Sequence, residues 1–451
     1  MTASERLTWG LLLAAAVVAT LSIVYLPVEP WDEARRGVNA LEMLRNGDYL
    51  NYRYLGEPDT FNTKPPLFTW LVAVSFRLFG VNAVALRLPS LLALLTFLLY
   101  FRHWLAGRFD PTTVLLTLTA CVVTKGLLGY HVGISGDTDM LFVLFLTVAG
   151  LAYYAFLVDR KPAGLLLAVG AGGLAFLTKG VAVGLVVPGM VVFTFAYAAG
   201  RRRLFSRAAV SGLLIGVVVF GGVLLALTAL GRDTFPAGGP DNLLEAMFFR
   251  DGLQRLTDPD FEPGAQPWYV FQALDIRFGP LIYALYAAVP WLVWKLGARA
   301  ILRRVEEVPF VLFSVCITAS ILLLLHFSSN KHNWYVAPAI PYLAYLFARA
   351  VRCVPVRARV YRWLAAGLVC LSLFTRLVDI RRADLPELPA PLAERISQAE
   401  TLYIDRYLPQ DYVFLLCAGA QEKVNLQTSD KLPKEERGEC FSLDGHTVCI
   451  K

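Results

Sequence analysis

"LTWGLLLAAAVVATLSIVYLPVEPWDEARRG" (residues 7–37) runs from an uncharged apolar block straight into Asp32, Glu33, Arg35 and Arg36. Crossing a bilayer as a helix takes roughly 20 apolar residues, because the hydrocarbon core is about 30 Å thick. Leu11–Leu26 meets that need with the residues around it. No cleavage site precedes the polar residues that follow, so a first span or retained anchor is expected, not a removable signal peptide. The charges after it read in two ways. They are the capped start of an amphipathic interfacial helix, or part of a site at the membrane edge.

The remainder of the chain repeats the apolar theme. Of 451 residues, 57% are hydrophobic and 17% charged, and the mean hydropathy is +0.55. A soluble protein carries about a quarter charged residues. About eleven spans are expected, at 8–27, 84–103, 112–133, 139–158, 163–178, 181–199, 208–230, 280–297, 308–326, 334–351 and 361–376. Pro65–Gly80 is short, starts with two prolines, and reads as a helix lying in the interface. With Arg6 on the cytoplasmic side, the alternate links hold Arg102 and Arg108; Arg160 and Lys161; Arg201, Arg202, Arg203 and Arg207; Lys295, Arg299, Arg303 and Arg304; and Arg352, Arg357, Arg359 and Arg362. The other links are acidic, mixed or aromatic, as the positive-inside rule requires. The net charge of +7 therefore orients helices and does not indicate nucleic acid.

The expected fold is an all-α polytopic membrane protein over residues 1–376, with outer loops at 28–82 and 231–279. A small α/β domain outside the membrane is expected at 377–451, with strand-like runs "DYVFLLCA" and "CFSLDGHTVCI" and a hairpin turn at Asp444-Gly445. Four of the seven cysteines lie in or beside spans; Cys417, Cys440 and Cys449 are in the tail. An oxidising compartment permits one disulfide among these three, and Cys440–Cys449 across the hairpin is the first choice.

The polar clusters fall on one expected face. Asp32 is a natural N-cap, with Arg35, Asn39, Glu42 and Asn46 on its helical stripe. "NTKPPLFTW" places Lys64 just before a proline-initiated helix, where an ammonium and free backbone N–H groups can meet an anion. "HVGISGDTDM" puts Asp137 and Asp139 at a span end, where a carboxylate is costly and usually marks function or pairing. "FLTKG" adds Lys179. "MFFRDGLQRLTDPDFEPGAQPWY" adds Arg255, and "SSNKHNWYVAPAIPY" adds Lys331 and Tyr335. Singly, each reads as a cap, a snorkelling cation or a belt aromatic. Together they suit transfer from a lipid phosphate: cations stabilise a phosphate leaving group, and a carboxylate takes a proton from the acceptor.

The order "WDEARRG…TKPPLFTW…", an acidic span end, "FLTKG", "LQR…QPWY" and "SNKHNWYVAPAIP" resembles the aminoarabinose-transferase branch of the GT-C glycosyltransferases, related to protein O-mannosyltransferases. The resemblance covers roughly residues 8–350. It implies a multi-helix GT-C fold in a bacterial inner membrane, with a periplasmic site and a polyprenyl-phosphate-linked sugar donor. By matched motif it implies Asp32 as the base, Glu33 as its neighbour and Asp139 as the second acidic position, with Asp137 a rival by register. Lys64, Arg255 and Tyr335 would meet the donor phosphate, with Arg35 and Lys179 shaping the field and Lys331 counted with the phosphate-binding set. The expected acceptor is an envelope glycolipid. A protein acceptor and a lipid or sugar flippase are the alternatives; Lys125, read as lying inside a span, favours the flippase. No cofactor is firmly implied, and a divalent metal on Asp137 and Asp139 stays open. An aromatic residue is common in the family where Arg36 stands.

Overall fold

The computed structural model describes the chain except residues 60, 198–201, 204–205, 231–244, 246–267, 297–308, 329–330, 355, 384, 422–424, 432–438 and 451. The chain is mainly helical. α1 is Ala3–Tyr25, started by a Thr2–Glu5 capping box. α2 (Asp32–Asn46) lies outside the first span. A two-residue hairpin, β1 (Arg53–Tyr54) and β2 (Glu57–Pro58), follows. Next come α3 (Leu67–Phe79), α4 (Ala83–Ala106), α5 (Pro111–Val123), α6 (Thr138–Leu157), α7 (Ala163–Lys179), α8 (Val187–Ala196) and α9 (Arg207–Leu230). Later helices are α10 (Tyr269–Phe278), α11 (Leu281–Leu296), α12 (Pro309–Phe327), α13 (Ile340–Val351) and α14 (Ala358–Arg382).

Six helices among the described residues are long and apolar enough to cross a membrane: α1, α4, α6, the α7–α8 pair, α12 and α14. Leu13, Leu92, Leu371 and Phe374 are all more than half exposed, as lipid-facing side chains would be. α3, with 13 residues, is about 20 Å long, too short to span. This agrees with an interfacial element.

Several expected spans differ in form. The 112–133 span is not one helix. α5 stops at Val123, and residues 124–137 form a buried coil. Its glycines explain why: a Cβ on Gly129 would lie 2.2 Å from the Lys125 carbonyl oxygen, and one on Gly133 2.4 Å from that of Leu127. Lys125 therefore sits beyond a helix end and exposed, which removes the feature that favoured a flippase. The 163–178 and 181–199 spans form one apolar path interrupted by a 3-10 turn at Gly180–Val186. The 334–351 span begins as a 3-10 turn, Asn333–Ala339, with Pro338 inside it.

In the tail, α15 (Ala390–Ile396), β3 (Thr401–Ile404), α16 (Gln410–Ala420), β4 (Asn425–Thr428), β5 (Glu439–Leu443) and β6 (His446–Ile450) build a four-stranded sheet of order β4-β3-β6-β5. β3 and β4 are parallel and joined through α16; the other pairs are antiparallel. "DYVFLLCA" is thus helix and not strand: Val413, Phe414, Leu416, Cys417 and Ala420 bury one helical face. Asp444 and Gly445 both take positive φ, as a two-residue hairpin turn demands. Cys440 and Cys449 face each other across β5 and β6 and form a disulfide. α16 lies tight on α2, where a Cβ on Gly37 would come within 2.5 Å of the Phe414 ring.

Candidate active site

Asp32 opens α2 as its first helical residue, not as its cap. The cap position belongs to Trp31, whose φ of 69° turns the chain sharply into the helix. Asp32 is thereby left without a capping hydrogen bond and faces cations instead. Its Oδ2 lies 3.3 Å from Arg36 Nη2, one turn on, and 4.0 Å from Lys64 Nζ. Burial disfavours its charge, but the Lys64 ammonium, then Arg36, His131 and Lys179, hold its carboxyl well below the usual carboxylate range.

Arg36 joins two segments remote in sequence. It is 3% exposed, and its Nη1 lies 3.2 Å from Asp137 Oδ1. Those two atoms, with Arg36 Nε, have no aligned hydrogen bond among the described residues, so the pairing is electrostatic. Asp137 stands at the cap position of α6, and its Oδ2 is 3.0 Å from His131 Nδ1. His131, in the glycine-rich coil at φ 63°, stacks on Trp334 with ring centroids 3.8 Å apart. Burial opposes protonation of His131, but the hydrogen bond and charge of Asp137 outweigh it and raise its pKa. Sequence reading missed His131; its place next to "GDTD" was the available signal.

Asp139, in the first turn of α6, takes a separate cation. Lys179 Nζ is 2.5 Å from its Oδ1, and the same ammonium sits 4.6 Å from the centre of the Tyr335 ring. Two contact groups result, Asp32 with Lys64, Arg36 and Asp137, and Asp139 with Lys179 and Tyr335; between them the charge of Lys179 is felt at Asp32 and that of Asp139 at Arg36. The two carboxylates proposed for a metal are split, with Asp139 held by Lys179. The described group with cation-binding geometry is instead Asp32, His131 and Asp137, each offering an atom within 4.8 Å of the others. Two carboxylates and an imidazole suit a divalent ion chemically, but the Arg36 guanidinium already provides positive charge to both carboxylates.

The other expected residues sit apart. Glu33 is fully buried and saturated. Arg87 donates to it from Nε at 2.6 Å and Nη2 at 2.9 Å, Gly136 N at 2.6 Å and Glu29 N at 2.8 Å. Arg87 also donates to the carbonyls of Ile23, Leu26 and Pro27. Arg35 turns away from Asp32 and makes a two-point bond with Asp59, both contacts 2.8 Å, under the Tyr54 ring. Lys331 lies near Tyr269, 5.8 Å from its ring centre. Arg255 lies outside the described residues.

Comparison with known proteins agrees with this architecture. The sequence model of the family described as dolichyl-phosphate-mannose-protein mannosyltransferase matches residues 63–225. A protein of unassigned function from Aquifex aeolicus is 26% identical over 74% of this chain and 63% of its own length. The undecaprenyl phosphate-alpha-4-amino-4-deoxy-L-arabinose arabinosyl transferase 1 of Pseudomonas fluorescens is 25% identical over 78% of this chain and 58% of its own length. The chain thus spans about six-tenths of the length of these relatives. Among solved structures, ArnT from Cupriavidus metallidurans bound to undecaprenyl phosphate superposes with a TM-score of 0.64 at 17% identity, covering 93% of this chain and 70% of that one. The archaeal oligosaccharyltransferase AglB from Archaeoglobus fulgidus gives 0.51 at 12% identity, covering 93% and 64%.

Proposed function

We propose that this chain, aminoarabinose-transferase-like in sequence and GT-C in fold, moves a sugar from a polyprenyl phosphate to an envelope glycolipid on the periplasmic face. The observation that supports this is two carboxylate–ammonium pairs, Asp32–Lys64 and Asp139–Lys179, close enough that the Lys179 charge acts on Asp32. Carboxylates and cations alternate there, as a reaction between a hydroxyl and a lipid phosphate requires.

In the proposed step the acceptor oxygen attacks the anomeric carbon from the face opposite the phosphate. The new C–O bond forms as the bond to the phosphate oxygen breaks, so configuration inverts. The acceptor proton goes to Asp32, and the electron pair leaves with the polyprenyl phosphate. Lys64 and Lys179 take up the negative charge that develops on that phosphate. With its depressed pKa, Asp32 is a poor base while Lys64 and Arg36 face it. A donor phosphate next to Lys64 would draw away the charge that depresses it and raise its basicity when the acceptor is present. Asp139 holds Lys179 in place, and Arg36 keeps Asp32 and Asp137 together. Glu33 and Arg35 act as positioning residues. If a divalent ion binds Asp32, His131 and Asp137, it supplies additional positive charge there.

The test is transfer by the purified chain from polyprenyl-phosphate sugars to an envelope lipid extract. Asp32→Asn, nearly isosteric, should fold normally and lose at least about a hundredfold in rate, the usual worth of a positioned proton acceptor. Full activity in that variant would overturn the assignment. The protein mannosyltransferase match over residues 63–225 favours a second reading, with a protein hydroxyl as acceptor. Mass analysis of envelope lipids and proteins, with and without the gene, separates the two.

A further inference from the structure

A cavity of about 460 Å³ opens between the ends of α1 and α14, the coil after α5, and α10. Four of its lining residues are cations: Lys125, Arg277, Arg376 and Arg382. Asp379 is the single carboxylate among them. None of the four cations forms an ion pair within 4 Å among the described residues. Like charges gathered in one cavity repel, and a buried cation without an anion bears an uncompensated desolvation cost.

Arg277 shows that the arrangement is built. It is 6% exposed. Its Nε donates to Asn333 Oδ1 at 2.6 Å, and its Nη1 to the carbonyls of Tyr130 at 2.9 Å and Lys125 at 3.2 Å. All three acceptors are neutral, and Nη2 has no hydrogen-bond partner among the described residues. Gly129 makes room for the guanidinium: a Cβ there would lie 2.8 Å from Nη1. Burial lowers the Arg277 pKa to about 10, with Asp139 opposing that shift. The group remains charged at neutral pH without a carboxylate within ion-pair distance.

We propose that this cavity is a second anion site, separate from Lys64, that takes a phosphate-bearing group. The chemistry is that of a phosphate oxyanion met by a fixed guanidinium and more mobile cations. Beside Arg376 and Arg382, α14 exposes Phe374 and Leu377. A cationic rim over an apolar helix face fits a lipid headgroup with its chains in the bilayer better than a free phosphate. Binding at this site needs no turnover to be seen.

The experiment titrates the full-length chain, in phosphatidylcholine nanodiscs, with phosphatidic acid as probe. Binding is read by native mass spectrometry. The Lys125→Gln/Arg376→Gln double variant removes two partly exposed cations and spares the buried Arg277. It should bind the probe roughly tenfold or more weakly, since a lost charge-assisted contact is worth about a factor of ten. Arg395→Gln, an exposed cation of the tail outside both sites, should bind the probe as the unaltered protein does. Inorganic phosphate is the competing arm. Displacement only at large excess identifies a lipid headgroup, and displacement at matched concentration identifies free phosphate; either result upholds the anion site. Unchanged binding in the double variant, or an equal loss in Arg395→Gln, overturns it.

Discussion

Arg36 holds two carboxylates with one buried guanidinium, Asp32 at 3.3 Å and Asp137 at 3.2 Å. Without it, Asp137 would be a nearly inaccessible carboxylate with only His131 beside it. Arg36→Gln should destabilise the chain by about 3–5 kcal/mol, the cost of breaking a buried ion pair from one side. Thermal unfolding in detergent measures this. Arg36→Lys keeps the charge but cannot reach both carboxylates with a planar fork, so it should fall between the two. His131 adds a pH dependence. Its folded pKa is raised above the ordinary 6.5, so its contribution is fully present below that value and lost as pH rises through the folded value. The difference in melting temperature between the unaltered protein and His131→Asn should therefore shrink as pH goes from acidic to alkaline. A constant difference would remove His131 from the charge cluster. The sequence brought Asp32, Lys64, Asp139 and Lys179 forward as candidates because each sits at a helix end with a recognisable start or stop. It left Arg36 unexplained because its second carboxylate belongs to a different helix, and a single sequence without structure does not reveal such pairing.

At the level of elements, Glu33 and Arg87 fix where α2 meets the bundle. The Arg87 guanidinium reaches the carbonyls at the end of α1, and Glu33 reaches the backbone of Gly136 just before α6. One buried pair thus ties α1, α2, α4 and the coil into a platform for Asp32. Glu33→Ala leaves Arg87 buried with its charge unpaired and should cost about 3–5 kcal/mol. Adding Arg87→Met should restore part of that loss, because an apolar replacement of both partners removes the stranded charge. If the double variant is no more stable than Glu33→Ala, the clamp is not a coupled unit. The sequence analysis did not single out Arg87, although a cation inside an apolar stretch is a known mark of pairing or function. Its partner was hidden too, since Glu33 looked like part of the surface-charged "WDEARRG". The coil after α5 was hidden for a related reason. Residues 124–137 are apolar enough to continue a span, and only the glycine spacing hinted that the backbone leaves the helix. "DYVFLLCA" failed in the opposite sense, since a short apolar run fits strand or helix equally until its neighbours decide.

Across the whole molecule, the alternation of basic links gave an orientation although the spans are not all simple helices. The alternation depends on which side each link emerges, so it is tested by labelling and not by the number of helices. If the N-terminus is cytoplasmic, Cys353, exposed just after α13, faces the cytoplasm. The tail beyond α14, and Asp32 with it, then faces the periplasm. Tyr407 is 75% exposed in that tail and suits a reporter thiol. A membrane-impermeant maleimide applied to spheroplasts should label Tyr407→Cys and leave Cys353 unlabelled until the membrane is permeabilised. Cys370 is exposed from the middle of α14, where lipid would cover it. A polar maleimide does not enter that layer, so Cys370 should stay unlabelled in both conditions. Labelling of Cys353 alone in intact spheroplasts would reverse the molecule, place the Asp32–Lys64 cluster in the cytoplasm, and remove the basis for a periplasmic acceptor.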